Sequence, residues 1–90
     1  MQKKIAILVR DRQSEALRMS AGMILADDAV SVFVLDRKVE ATPENAANIE
    51  LLKDMDQHVY TNTPENPELE LLSNAAIAEL LAQHDNIIPY

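Results

Sequence analysis

A chain of 90 residues is one domain, and its net charge of −7 argues against nucleic acid or an anionic membrane surface as the main partner, because phosphate binding needs a dense cationic surface. Zero cysteines exclude a disulfide framework, a thiolate nucleophile and a thiol metal site. With 48% hydrophobic but only 3% aromatic residues, the core must be aliphatic, and it is small enough that another subunit could cover part of the apolar surface.

The chain opens Met1-Gln2-Lys3-Lys4, followed by a short apolar run, Ile5 to Val9. That run is shorter than the ~7–15 residues of a secretory apolar region. No segment approaches the ~18 apolar residues of a membrane span. The expectation is a cytoplasmic protein. The run lacks alternation, which suits a strand covered on both faces in a parallel sheet. Asp11 or Ser14 then serves to cap a helix predicted over residues 13–29. This helix has two apolar stripes: Leu17, Ala21, Ile24 and Leu25, and Ala16, Met19, Met23 and Ala26. One stripe suffices for an ordinary surface helix. The second either packs on a neighbouring helix of the same domain or forms a subunit interface, with Met19, Met23 and Ala26 as its residues.

Val30 to Leu35 reads as the second strand. Thr42-Pro43-Glu44 starts a second helix, with Thr as N-cap, Pro at the first position and an acid at the positive helix end. Its expected inner face is Ala46, Ile49, Leu52 and Met55, with Leu51 beside them. A weaker third strand falls over residues 57–61. Pro64 and Pro67 restrict the next stretch, where residues 67–72 suit a short helical turn. Ser73 or Asn74 caps a last helix with the stripe Ile77, Leu80, Leu81 and His84. Asn86 to Tyr90 reads as a final strand that Pro89 confines to a sheet edge. Thr-Pro-Glu-Asn occurs twice, at residues 42–45 and 63–66, and reads as repeated helix-start chemistry. The element order implies an α/β, three-layer domain with a small parallel sheet of about four strands in the order 2-1-3-4.

The opening Lys3-Lys4-Ile5-Ala6-Ile7-Leu8-Val9, the long Ala/Leu/Met helix and Val30-Ser31-Val32-Phe33-Val34-Leu35-Asp36 carry a resemblance, as does the closing stretch from Ala76 to Ile88. The chain resembles the flavodoxin-like DsrE/DsrF-like family of small sulfur-relay proteins, which includes the Tus subunits. The resemblance covers nearly the whole chain and implies a homo-oligomer, a trimer or hexamer, or a heteromer with a protein partner. It also implies a cysteine in the loop after the third strand, where active members accept persulfide sulfur. Here that loop reads Tyr60-Thr61-Asn62-Thr63. An amide or hydroxyl cannot hold sulfane sulfur, because the step requires a thiolate. This chain is therefore expected to bind or scaffold without sulfur-transfer chemistry of its own.

In an open parallel sheet, ligands bind beyond the carboxyl ends of the strands. The loops there carry Arg10, Arg12, Arg37 and Lys38, with Tyr60 and Asn62 as hydrogen-bond donors. One reading is a site for a small anion or an acidic partner, hence the alternative of a small enzyme or sensor with an anionic ligand. The other is that Asp11 and Asp36 pair with their neighbours and the group is a solvated surface. The only glycine, Gly22, lies inside a helix, so the phosphate-cradling loops of the usual nucleotide folds are not expected. His58 and His84 lack metal-ligand spacing, and His84 suits a helix C-terminus. Ser14 has no nucleophile elbow. The glutamates at 44, 50, 65, 68 and 70 read as a solvated acidic face. No catalytic residue, cofactor or metal is assigned.

Overall fold

The computed structural model describes residues 3–24 and 29–90. The elements are β1 (Lys4–Val9), α1 (Gln13–Ile24), β2 (Ala29–Val34), α2 (Pro43–Asp54), β3 (His58–Thr61), β4 (Glu70–Leu71), α3 (Asn74–Leu81) and β5 (Asn86–Pro89). All five strands run parallel in one sheet, in the order β4-β3-β2-β1-β5. The α/β class and the parallel sheet agree with the sequence. The expected order does not. The third strand lies beside the second, not the first, and a fifth strand pairs outside it.

The order explains the layers. The steps β1 to β2 and β2 to β3 go in one direction, and right-handed crossovers stepping one way put their helices on one face. Accordingly, α1 and α2 pack together over Ile5, Ile7, Val9, Val30, Val32, Val34 and Val59. The return from β4 to β5 crosses the sheet the other way. It places α3 on the opposite face, over Ala6, Phe33 and Leu35. Successive strand residues alternate between the two layers, so β1 and β2 are apolar apart from the exposed Lys4 and the half-buried Ser31.

Thr42 caps α2 as expected, its hydroxyl accepting from Asn45 N at 3.1 Å, and Ser73 caps α3 by accepting from Ala76 N at 3.1 Å. The inner face of α2 differs from the expectation. Asn45, Ile49 and Leu52 are buried, whereas Ala46, Leu51 and Met55 are exposed. Ile49 and Leu52 lie inward as expected, and the buried polar Asn45 takes the place expected of Ala46. Neither Asp11 nor Ser14 caps α1. Asp11 pairs with Arg37, and the Ser14 hydroxyl donates to Asn45 Oδ1 at 3.3 Å.

Ala29, expected to end the first helix, begins β2. On α1, Gln13, Ala16, Leu17, Ser20 and Ala21 are buried, while Ser14, Glu15, Arg18 and Gly22 face out. Met19 and Met23 are half-buried against their own core, together with Ile88 and Tyr90, and the Tyr90 hydroxyl donates to Met19 Sδ at 2.6 Å. Met19 and Met23 of the second stripe thus pack on their own domain. Ala26, the third expected interface residue, and Leu25 lie outside the described residues.

Residues 67–72 form a turn and β4 instead of a helical turn. Strand β5 is at the edge that Pro89 requires. Pro89 has no N–H, and Tyr90 N donates to Leu8 O at 2.8 Å just beyond it.

Candidate functional site

A parallel sheet brings the ends of β1, β2 and β3 to one rim, and the three loops expected there do meet. Arg10 Nε lies 3.6 Å from Asp36 Oδ2, and Arg37 Nη1 lies 2.7 Å from Asp11 Oδ1. Arg12 Nη2 sits 2.7 Å from Glu15 Oε2, with its guanidinium 5.8 Å from the centroid of the Tyr90 ring. Three arginines thus face three carboxylates, and the rim is close to neutral on an acidic protein. All six side chains are more than half exposed, so each pair contributes at most about 1 kcal/mol.

Asn62 joins the third loop to the second. Its Oδ1 accepts from Asp36 N at 2.7 Å, and its Nδ2 donates to Asp36 Oδ1 at 2.9 Å and to Asn74 Oδ1 at 3.0 Å. Asp36 has a φ of 65°, in the left-handed region that aspartate tolerates better than most residues. The clasp therefore holds an uncommon backbone conformation at the end of the central strand.

Three further amides, which the sequence reading did not single out, fix the loop after β2. Gln13 Nε2 donates to Lys38 O at 3.1 Å, and its Oε1 accepts from Glu40 N at 2.9 Å. Asn66 Oδ1 accepts from Val39 N at 2.8 Å, and its Nδ2 donates to Arg37 O at 2.9 Å and to Thr61 Oγ1 at 3.0 Å. Asn45 Nδ2 donates to Glu40 O at 3.1 Å. Gln13, Asn45 and Asn66 are all buried. The backbone from Arg37 to Glu40 is held by side-chain amides as a strand is held by its neighbours. Arg37 and Lys38 point outward from a fixed frame.

The repeated Thr-Pro-Glu-Asn gave the available signal. The first copy starts α2, but the second forms a turn and no helix, which corrects the reading of both as helix starts. What the copies share is the asparagine, buried in each case and bonded back to the same loop.

Lys38 has no ion pair among the described residues. It lines an open groove of about 650 Å³ whose walls also include Val39, Ala41, Pro43, Ala46 and Ile49. Tyr60 is not brought to the rim cluster. Its ring lies on the α3 face, stacked on Phe33 at 5.1 Å and on His58 at 5.4 Å. Its neighbour in sequence, Thr61, faces the other layer. His58 Nδ1 is 3.4 Å from Glu70 Oε1, and His84 Nδ1 donates to Leu80 O at 2.7 Å, the helix-end contact expected of it. Among the described residues no group of three or more His, Cys, Asp or Glu could hold a metal ion. No helix among them is long and apolar enough to cross a membrane.

Burial, and then the nearby Glu70 carboxylate, raise the Tyr60 hydroxyl above its ordinary 10.0. The folded state thus holds this proton more tightly than the unfolded chain. Its contribution is complete below the ordinary value and is lost as pH rises through the folded one. Tyr60→Phe should therefore flatten the fall of stability above about pH 10 while leaving neutral stability nearly unchanged. Urea midpoints of the two proteins at neutral and alkaline pH check this. Parallel curves would show that Tyr60 does not contribute to the fall.

Comparison of the chain with protein-family models, with curated proteins and with solved structures finds no match.

Proposed function

We propose that the chain is a DsrE-like binding or scaffolding subunit, homo-oligomeric or seated beside a cysteine-bearing partner, that does not carry persulfide itself. One observation carries this reading. At the loop where active relatives keep a reactive thiol, Asn62 spends both ends of its amide on Asp36 and Asn74. The position ties the rim together instead of presenting a nucleophile. The rim beside it is nearly neutral and adjoins, through Lys38, a mainly apolar groove, which suits a protein surface.

The kinship is tested by restoring the thiol. Asn62→Cys treated with inorganic polysulfide should gain the mass of one sulfur atom faster than Ala78→Cys, whose thiol would sit exposed on α3. In this step the thiolate attacks a sulfane sulfur of the donor, the S–S bond of the donor breaks, and the donor leaves as a polysulfide one sulfur shorter. Equal rates would remove the assignment of this loop. Light scattering of the unmodified protein belongs to the same test, and a strictly monomeric mass would leave only the heteromeric form.

A further inference from the structure

We infer that the Asp36 carboxylate is an internal occupant of a carboxylate seat, and that an acidic segment of a partner takes its place when the rim is engaged. The inference rests on the rim being the contact surface and adds the chemistry of what it contacts. The seat is built by two elements. Arg10, at the end of β1, offers its guanidinium, with Nε 3.6 Å from Asp36 Oδ2. Asn62, after β3, offers Nδ2 at 2.9 Å from Asp36 Oδ1, and Asn74 Oδ1 accepts from the same nitrogen at 3.0 Å and fixes its direction. One cation and one oriented amide, converging on the two oxygens of one carboxylate, make a receptor for that group.

Two features mark the occupant as exchangeable. Asp36 is 62% exposed and Arg10 54%, so neither charge is sealed from a visitor. The Arg10 contact uses Nε at long range, and its Nη groups make no ion pair among the described residues. The second rung of the rim, Asp11 with Arg37 at 2.7 Å, is shorter and stays closed. The 39–90 part of the chain carries one lysine against ten acids, so the rim is the surface where an acidic visitor meets the least repulsion.

The test removes the occupant. Asp36→Gly keeps the backbone conformation open to glycine, and Asp36→Asn keeps the Asn62 contact while deleting the charge. Both should bind acetate, and more tightly a short Asp/Glu peptide, about five- to tenfold better than the unmodified chain, read as saturable shifts of the Asn62 and Arg10 amides in NMR titrations. Adding Arg10→Ala to either variant should abolish the gain. No gain in both variants, or a gain that survives loss of Arg10, overturns the inference. The probes are small carboxylates and need no partner. A negative result here therefore leaves the thiol-restoration test untouched, and equal rates there leave this one standing.

Discussion

Asn66→Ala should cost about 3 kcal/mol of unfolding free energy, out of roughly 5–13 kcal/mol for a domain of this length. The side chain is 2% exposed and serves three partners, Val39 N, Arg37 O and Thr61 Oγ1. Thr61 Oγ1 also accepts from Thr63 N at 3.2 Å and so keeps a partner. The two backbone groups do not, and each buried polar group left unpaired costs about 1–3 kcal/mol. Water entering the vacated space would return part of this. Urea denaturation of the variant, with its slope unchanged, measures the loss. Hydrogen exchange at the Val39 amide localises it, because that N–H loses its acceptor. Asn66→Asp separates shape from donation. It keeps an oxygen for Val39 N but points a carboxylate at Arg37 O, so it should be no more stable than Asn66→Ala at neutral pH. A loss below about 1 kcal/mol for Asn66→Ala would mean that the loop holds itself.

The same residue shows where sequence reading stops. Apolar runs made β1 and β2 legible because strands buried on both faces tolerate few polar residues. Thr42 with Pro43, Ser73 and Pro89 were legible because each meets a local backbone need whatever surrounds it. Asn45 and Asn66 look like surface residues by composition, and only tertiary contacts make them core. Strand β4 has two exposed residues, Glu70 and Leu71, and no apolar pattern to reveal it. Strand order was illegible for a related reason. An apolar run says how deeply a strand is covered but not which strand lies beside it. The neighbour of β2 is chosen by contacts such as Phe33 on Tyr60, and by amides reaching back from residues 62 and 66. The neutral rim was closer to the surface of the text. Arg10-Asp11 and Asp36-Arg37 carry their charges in opposite order, so a one-residue offset from the strand register sets unlike charges together.

Phe33→Ala should cost about 3–5 kcal/mol, the largest single loss expected here. Its ring is fully buried in the centre of the sheet, stacked on Tyr60 at 5.1 Å and edge-on to His84 at 6.0 Å. The face it occupies has few other buried residues, Ala6, Leu35 and Ile77. The only helix there among the described residues, α3, has eight residues, too few to persist without packing. The loss should therefore fall unevenly. Amides of α3 should exchange by local opening well before those of β1 and β2, which keep the α1–α2 layer. Leu17→Ala, a truncation of similar cost on the opposite face, gives the contrast, since it should weaken the whole domain without singling out α3. The consequence reaches the rim. Asn74 is the first residue of α3, and its Oδ1 steadies the Asn62 amide that holds Asp36. Opening α3 should thus loosen the Asp36 clasp from behind, and the Asp36 amide should gain exchange in Phe33→Ala but not in Leu17→Ala. If α3, β2 and Asp36 accelerate together in both variants, the domain opens as one unit and α3 does not govern the rim.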